Sequence, residues 1–151
     1  MPGYRANVRL DVDPSLDPSA YAFTHSIRVR FAETDAMGIV HHSNHLLYLE
    51  EARVAYLRHL ERPYSVMRAE GVDHAVLEAF VQYRRPLRFD DVLDVHLVLA
   101  KVTRATFQIA YLLRVDGEIR GTAVTVHGCV DTDGRPVRMP TWLAALAAEH
   151  G

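Results

Sequence analysis

The chain has 151 residues, of which 49% are hydrophobic and 24% are charged, and its formal net charge is −2. This balance is typical of a globular protein with one core, and the slight negative charge argues against a broad nucleic-acid surface. Cys129 is the single cysteine, which excludes an intramolecular disulfide and fits a reducing compartment. We find neither a signal-peptide pattern nor the roughly 20 consecutive apolar residues of a membrane helix. We therefore expect a cytoplasmic protein with no nucleic-acid partner and no membrane span.

Residues 1–22 contain prolines and aspartates without a sustained hydrophobic period, which predicts a flexible N-terminal tail. Residues 23–151 are predicted to form a single domain. At the start of this domain apolar and polar residues alternate, so Ile27, Val29 and Phe31 are predicted to face the core from one strand.

A long helix is predicted after a turn over 35–43. Ser43 or Asn44 is positioned to cap it, and the helical pattern continues to about Leu60. A second, short helix is predicted over 65–70. The long helix has a broad apolar stripe that is expected to lie in the core: Leu46, Leu47, Leu49, Val54, Tyr56, Leu57 and Leu60.

Four strand patterns follow without another long helix between them. Alternating apolar residues predict strands over 75–83, 93–99, 105–115 and 119–130, and Asp116-Gly117 is typical of a two-residue hairpin turn. A short helix is predicted over 141–150. This order of elements predicts an α+β protein in which a five-stranded antiparallel sheet curls around the long helix.

The stretch 30–53, RFAETDAMGIVHHSNHLLYLEEAR, joins the first strand to the long helix. It combines a carboxylate, Asp35, with the imidazole of His42 and with backbone N–H groups at a helix start. A carboxylate can act as nucleophile or general base, and such N–H groups stabilise a developing oxyanion. Gly38 allows close approach of a substrate. On these residues alone, Asp35 is equally consistent with a carboxylate that caps a turn.

Three segments carry a family resemblance. The first is a pattern of acid, glycine, apolar residues, histidine and a helix with glutamate and arginine; the others are YRRPLRFDD at 83–91 and VDTDGRPVRMP at 130–140. Together they resemble the hot-dog acyl-CoA thioesterases of the 4-hydroxybenzoyl-CoA thioesterase type, including the Tol–Pal-associated branch. In this chain the first pattern is formed by Asp35, Gly38, Ile39, Val40, His42, Glu50 and Arg53.

The resemblance implies hydrolysis of a fatty or aromatic acyl-CoA to the free acid and CoA, with Asp35 as nucleophile or general base. It also implies that the N–H of His42 polarises the thioester carbonyl, and the imidazole of His42 is a second catalytic candidate. Coenzyme A is then part of the substrate, and no cofactor or metal is expected. The substrate-binding candidates are Gly38, Val40, His41, His45, Glu50 and Arg88.

The resemblance further implies a homo-oligomer, a dimer or a homotetramer, with active sites at the subunit interface. Two departures leave the substrate class open, because Phe31 and His45 stand where that branch often has tyrosine.

Glu50 is spaced to pair with Arg53 along the helix, and Glu51 is a secondary candidate acid. The cations available for the CoA phosphates are Arg84, Arg85, Arg88, Lys101 and Arg104.

Other interpretations remain open from the sequence. His41 and His45 have the i, i+4 spacing of metal ligands, but the H-E-x-x-H pattern is absent, so we expect no metal. The protein could instead release acyl groups from an acyl-carrier protein. It could also be a non-catalytic acyl-CoA-binding module, an interpretation that the phenylalanine at position 31 leaves open and that Asp35 disfavours.

Overall fold

The computed structural model describes residues 8–150, so residues 1–7 of the predicted tail lie outside the described residues. Within this range there are three α-helices, Asn44–His59 (α1), Tyr64–Ala69 (α2) and Thr141–His150 (α3). The strands are Phe23–Arg28 (β1), Asp73–Tyr83 (β2), Val92–Val102 (β3), Thr106–Val115 (β4) and Glu118–Val130 (β5). They form one antiparallel sheet in the order β1-β3-β4-β5-β2. The predicted α+β class and five-stranded antiparallel sheet are confirmed.

Helix α1 contacts β1 and β3 and covers one face of the sheet. The broad apolar stripe predicted for it is wrong in part, because Leu46 and Leu47 are 48% and 58% exposed. A helix lying on one face of a sheet buries only the side chains spaced three and four residues apart. The buried residues are accordingly His45, Tyr48, Leu49, Ala52, Arg53, Tyr56 and Leu57.

The prediction that Phe31 faces the core is also wrong. Strand β1 ends at Arg28, and Phe31 begins a 3-10 turn that is closed by the N–H of Thr34 donating to the Phe31 carbonyl, at 3.1 Å. The turn breaks the alternation of the strand and leaves the Phe31 ring 74% exposed, edge-on to Phe89. The first strand therefore ends three residues before the position that its pattern predicted.

Within the described residues, strand β2 forms one edge of the sheet and pairs only with β5. Four large apolar or aromatic side chains of this strand are exposed, namely Val76, Leu77, Phe80 and Tyr83. An 11-residue edge strand with exposed apolar side chains is a surface on which another strand can pair. The last residue of β2, Tyr83, brings this edge to the candidate site described below.

Part of the predicted tail lies against the sheet. The carboxylate of Glu78 accepts the N–H groups of Arg9 and Leu10, at 2.9–3.1 Å. The side-chain amide of Gln108 donates to the Arg9 carbonyl and to the Asp11 carboxylate, each at 2.9 Å. Residues 9–11 thus bind β2 and β4 through side chains without forming a strand. Among the described residues no helix is long and apolar enough to cross a membrane.

Candidate active site

Asp35 lies in a tight turn between β1 and α1. Its carboxylate accepts the N–H of Met37 at 2.8 Å, and its backbone carbonyl accepts the N–H of Gly38 at 3.0 Å. Gly38 has φ +77°, a left-handed conformation that strains a residue with a β-carbon. The chain then returns through a bridge between Thr34 and Val40. The turn therefore fixes the half-buried Asp35 carboxylate in one orientation.

Glu33 connects this turn to the start of α1 through hydrogen bonds. Its backbone carbonyl accepts the N–H of His41 at 3.0 Å and the side-chain amide of Asn44 at 2.9 Å. Its carboxylate accepts the hydroxyl of Tyr48 at 2.9 Å and pairs with Arg30. Burial opposes ionisation of Glu33, but hydrogen bonds to its carboxylate from the Arg30 N–H, the Tyr48 hydroxyl and the Arg30 guanidinium outweigh this effect and lower the pKa of the carboxyl. Glu33 is therefore an anion that holds the loop and the helix together.

The start of α1 presents a free backbone donor. The predicted cap residues do not cap it, because the Ser43 hydroxyl bonds to His41 Nδ1 at 2.8 Å and the Asn44 amide is bound to Glu33. The N–H of His42 has no acceptor among residues 8–150. An unpaired N–H at a helix start, with the positive end of the helix dipole behind it, is suited to hold a developing oxyanion.

A cleft of about 320 Å³ brings the acid and this helix start together. Its walls come from the Asp35 turn, from the start of α1 and from the chain that follows β2. The Asp35 turn and the chain that follows β2 are joined by a hydrogen bond, in which the N–H of Val40 donates to the Leu87 carbonyl at 2.8 Å. The lining residues are Asp35, Ile39, Val40, His42, His45, Tyr83, Arg84, Arg85 and Pro86.

His45 forms the inner wall of this cleft and is only 7% exposed. Its ring stands edge-on to Tyr83, with centroids 4.7 Å apart, and lies 6.2 Å from the ring of Tyr48. Burial lowers the pKa of His45, so its imidazole is neutral at physiological pH. The residue therefore supplies an aromatic surface to the cleft and no positive charge.

The predicted site residues divide into two groups. Asp35, Val40, His42 and His45 line the cleft, and Gly38 shapes the turn beside it. Glu50 does not reach this cleft: it lines a separate groove of about 840 Å³ between β1 and the outer side of α1. The remaining two predicted residues, His41 and Arg88, are exposed and lie outside the cleft lining.

The predicted pairing of Glu50 with Arg53 is absent from the described residues. Glu50 is on the exposed side of the helix, whereas Arg53 is buried and donates to the hydroxyl of Tyr111 at 3.3 Å. Two residues three apart on a helix can form an ion pair only when both side chains point to the same surroundings. Here the Glu50 side chain faces the solvent and the Arg53 side chain faces the sheet. Glu51, the secondary candidate acid, bonds to His25 at 3.0 Å in the same groove as Glu50.

Of the five candidate cations for the CoA phosphates, Arg84 and Arg85 line the cleft. Arg84 donates to the side-chain carbonyl of Gln82 at 3.2 Å, and Arg85 pairs with Glu118 at 3.2 Å. Lys101 is bound to Asp11, away from the cleft. The two arginines therefore bring positive charge to the end of the cleft formed by the residues after β2.

Sequence reasoning missed Tyr83 and Glu33 as site residues. The sequence places Tyr83 at the end of a strand pattern and at the start of the YRRPLRFDD segment, without indicating its contact: its hydroxyl donates to the His42 carbonyl at 3.1 Å. Glu33 was not singled out, although it contacts both ends of the loop. Tyr83 lies 41 residues from His42 in the sequence, and no local pattern indicates a contact between residues so far apart.

The chain belongs to the thioesterase-like superfamily, whose family model matches residues 29–146. A curated relative from Aquifex aeolicus is 43% identical over 118 residues, which are 78% of this chain and 91% of that protein. The crystal structure of a hypothetical protein from Aquifex aeolicus aligns with a TM-score of 0.79 and 40% identity, covering 83% of this chain and 99% of that one. The predicted hot-dog fold is thereby confirmed.

A third relative carries a chemical name. The 1,4-dihydroxy-2-naphthoyl-CoA hydrolase of Nostoc punctiforme is 30% identical over 131 residues, which are 81% of this chain and 86% of that protein. The matched region of the family model includes the whole Asp35 turn, all of α1 and the whole sheet except β1. The cleft therefore lies inside the part of the chain that the superfamily shares.

Proposed function

We propose that this protein is an acyl-CoA thioesterase that hydrolyses a fatty or aromatic acyl-CoA to the free acid and CoA. One observation carries the proposal: Asp35 lines the same cleft as His42, whose backbone N–H has no acceptor among residues 8–150. The superfamily and the Nostoc relative, which is named as a CoA thioester hydrolase, support the reaction class. Within the superfamily we place the chain in the 4-hydroxybenzoyl-CoA thioesterase type, on the sequence pattern around Asp35.

Two routes are compatible with an aspartate in this position. As a nucleophile, Asp35 would form a C–O bond to the thioester carbon; the C–S bond would break, and water would then hydrolyse the mixed anhydride. As a general base, Asp35 would take a proton from a water whose oxygen bonds to that carbon before the C–S bond breaks. In both routes the sulfur leaves as the CoA thiolate, which needs no strong general acid.

The His42 N–H serves both routes in the same way. The carbonyl oxygen becomes negative as the tetrahedral species forms, and a fixed N–H stabilises it more in the transition state than in the ground state. Such a donor contributes about 3–4 kcal/mol in other hydrolases. His42 is one of the residues that line the cleft, which supports its imidazole as a second catalytic candidate.

The cleft residues also support a CoA thioester as the substrate. Ile39, Val40 and Pro86 offer an apolar wall to an acyl or pantetheine chain, and Arg84 and Arg85 offer charge to phosphates. The aromatic surface of His45 and Tyr83 is compatible with either an aliphatic or an aromatic acyl group. Coenzyme A enters as part of the substrate, so the proposal requires no separate cofactor.

We also propose that the protein acts as a homo-oligomer, a dimer or a tetramer, with the cleft at the subunit interface. The exposed apolar edge of β2 supports this proposal, since Tyr83 at its end already lines the cleft. Phe80→Glu, in the middle of the edge, should reduce the mass measured by light scattering. Val66→Glu on α2 is the control, and a monomeric wild-type protein at micromolar concentration would contradict the proposal.

The function is tested by following free-thiol release from short, long and aromatic acyl-CoAs. We expect turnover by the wild type and a loss of about 100-fold or more in Asp35→Asn, since the carboxylate is removed. Asp116→Asn is the matched control: Asp116 lies in the β4–β5 hairpin turn, where Asn followed by Gly is favoured. Acyl-CoA binding without thiol release, in the wild type and in Asp35→Asn, would instead favour a non-catalytic binding module. Turnover of carrier-protein thioesters alone would identify an acyl-carrier-protein thioesterase.

A further inference from the structure

Tyr83 connects the edge strand β2 to the start of α1. Its hydroxyl donates to the backbone carbonyl of His42 at 3.1 Å. Its ring stands edge-on to His45, with centroids 4.7 Å apart, and edge-on to His42 at 6.5 Å. Tyr83 therefore contacts two residues of the helix start as well as lining the cleft.

The contact with Tyr83 completes a set of anchors around the free N–H of His42. On the N-terminal side, the N–H of His41 donates to the Glu33 carbonyl at 3.0 Å, and the His41 carbonyl accepts the N–H of Asn44 at 2.9 Å. On the C-terminal side, the His42 carbonyl accepts both the N–H of His45, at 3.2 Å, and the Tyr83 hydroxyl. The His41 carbonyl is part of the peptide plane that carries the His42 N–H, and the His42 carbonyl is part of the next plane. Hydrogen bonds to both carbonyls therefore limit the direction of the His42 N–H.

The Tyr83 hydroxyl is expected to contribute little to the stability of the fold. The side chain is 49% exposed at the end of an edge strand, and a hydrogen bond of this kind contributes little to the free energy of unfolding. By holding the His42–Ser43 peptide, the Tyr83 hydroxyl limits the rotation of the neighbouring His41–His42 peptide, which carries the His42 N–H. An oxyanion donor is sensitive to such geometry, because its contribution depends on where the negative charge forms.

We propose that Tyr83 is a positioning residue, whose hydroxyl holds the His42–Ser43 peptide and so keeps the neighbouring His41–His42 peptide, which carries the His42 N–H, facing the developing oxyanion. This inference rests on the thioesterase function proposed above. Because the oxyanion forms only as the reaction proceeds, the effect falls on kcat and leaves KM nearly unchanged. The link also makes the edge strand part of the catalytic geometry, since β2 carries Tyr83 to the helix.

Tyr83→Phe tests the proposal, because it keeps the ring against His45 and removes only the hydroxyl. We expect kcat for the best acyl-CoA to fall roughly tenfold, less than the 100- to 1,000-fold loss of a whole oxyanion donor, with KM changed less than about twofold. Tyr21→Phe is the matched control. The Tyr21 hydroxyl also donates to a backbone carbonyl, that of Ser15 at 2.7 Å, but it lies outside the cleft.

A second measurement does not depend on turnover. Amide hydrogen exchange at Asn44 and His45, whose N–H groups close the first turn, should be several-fold faster in Tyr83→Phe and unchanged in Tyr21→Phe. Unchanged exchange would overturn the positioning role even if kcat fell, and so would a rise in KM at constant kcat. If wild-type protein hydrolyses no acyl-CoA, the proposed function fails on its own, and the exchange rates still decide the role of Tyr83.

Discussion

Arg53 and Tyr111 meet between α1 and the sheet, where Nη1 of the guanidinium lies 3.3 Å from the tyrosine hydroxyl. Arg53 is 6% exposed, Tyr111 is fully buried, and no carboxylate forms an ion pair with Arg53 among residues 8–150. The same hydroxyl bonds to Thr125 at 2.8 Å, and Thr125 bonds to His127 at 2.7 Å. A buried cation thus ends a chain of neutral polar groups, which is an energetically costly arrangement.

Arg53→Met is expected to leave the free energy of unfolding unchanged or to raise it. The substitution removes a buried cation that lacks a carboxylate partner and puts a flexible apolar side chain of similar length in its place. Tyr111→Phe is the comparison, and it should lower the free energy of unfolding by about 2 kcal/mol because the cation loses its hydroxyl partner. Urea unfolding of both variants measures these changes. A larger loss in Arg53→Met than in Tyr111→Phe would contradict this account.

Stability should fall as the pH is lowered from about 6.5 towards 4. Burial, followed by the charge of Arg53, lowers the pKa of His74 to about 4 and that of His127 to about 2. Over this range the unfolded chain binds protons at both histidines before the native state does, so acid favours unfolding. Each histidine contributes a slope of up to about 1.4 kcal/mol per pH unit.

The slope is measured by urea unfolding at several pH values. His127→Gln removes one of the two titrating rings and keeps an amide for the hydrogen bond to Thr125. The number of protons taken up on unfolding, which sets the slope, should therefore decrease by about one. His59→Gln, on an exposed part of α1, is the matched substitution outside the buried polar chain. A His127→Gln slope equal to that of the wild type would show that His127 is not one of the titrating groups.

Gly38→Ala should lower both stability and turnover. Gly38 has φ +77°, and Gly134, in the turn after β5, has φ +79°; an added Cβ at either position meets no atom within 4 Å. Both alanine variants should therefore lose about 1 kcal/mol of unfolding free energy through backbone strain alone. Only Gly38→Ala should also lower kcat, because its turn holds Asp35. Equal kcat values for the two variants would mean that the turn conformation does not control the acid.

Glu78→Ala should release residues 9–11 from the sheet. The Glu78 carboxylate accepts two backbone N–H groups of this segment and pairs with Arg9 at 3.5 Å. We expect a loss of about 1 kcal/mol in unfolding free energy and faster proteolytic cleavage within the first 20 residues. Glu70→Ala, at an exposed helix end, should change neither quantity. An unchanged cleavage rate in Glu78→Ala would mean that other contacts hold the segment.

Local sequence patterns determined most of the secondary structure and the position of the candidate acid. Helix α1, the strands β3 to β5, the Asp116-Gly117 hairpin and helix α3 all follow from periodicity and turn residues, because each of these signals acts over neighbouring positions. The Asp35 turn is similarly local, since acid, glycine and helix start lie within ten residues.

The tertiary structure alone decided which side chains from distant parts of the chain meet, in the site and elsewhere. Tyr83 and His42 are 41 residues apart, and Arg53 and Tyr111 are 58 apart, so no periodic pattern records either contact. The exposed position of Phe31 likewise depends on the 3-10 turn that interrupts its strand. Periodicity specifies which face of a helix or strand is apolar. It does not specify the partner of a polar group on that face, because that partner comes from an element distant in the chain that packs against it.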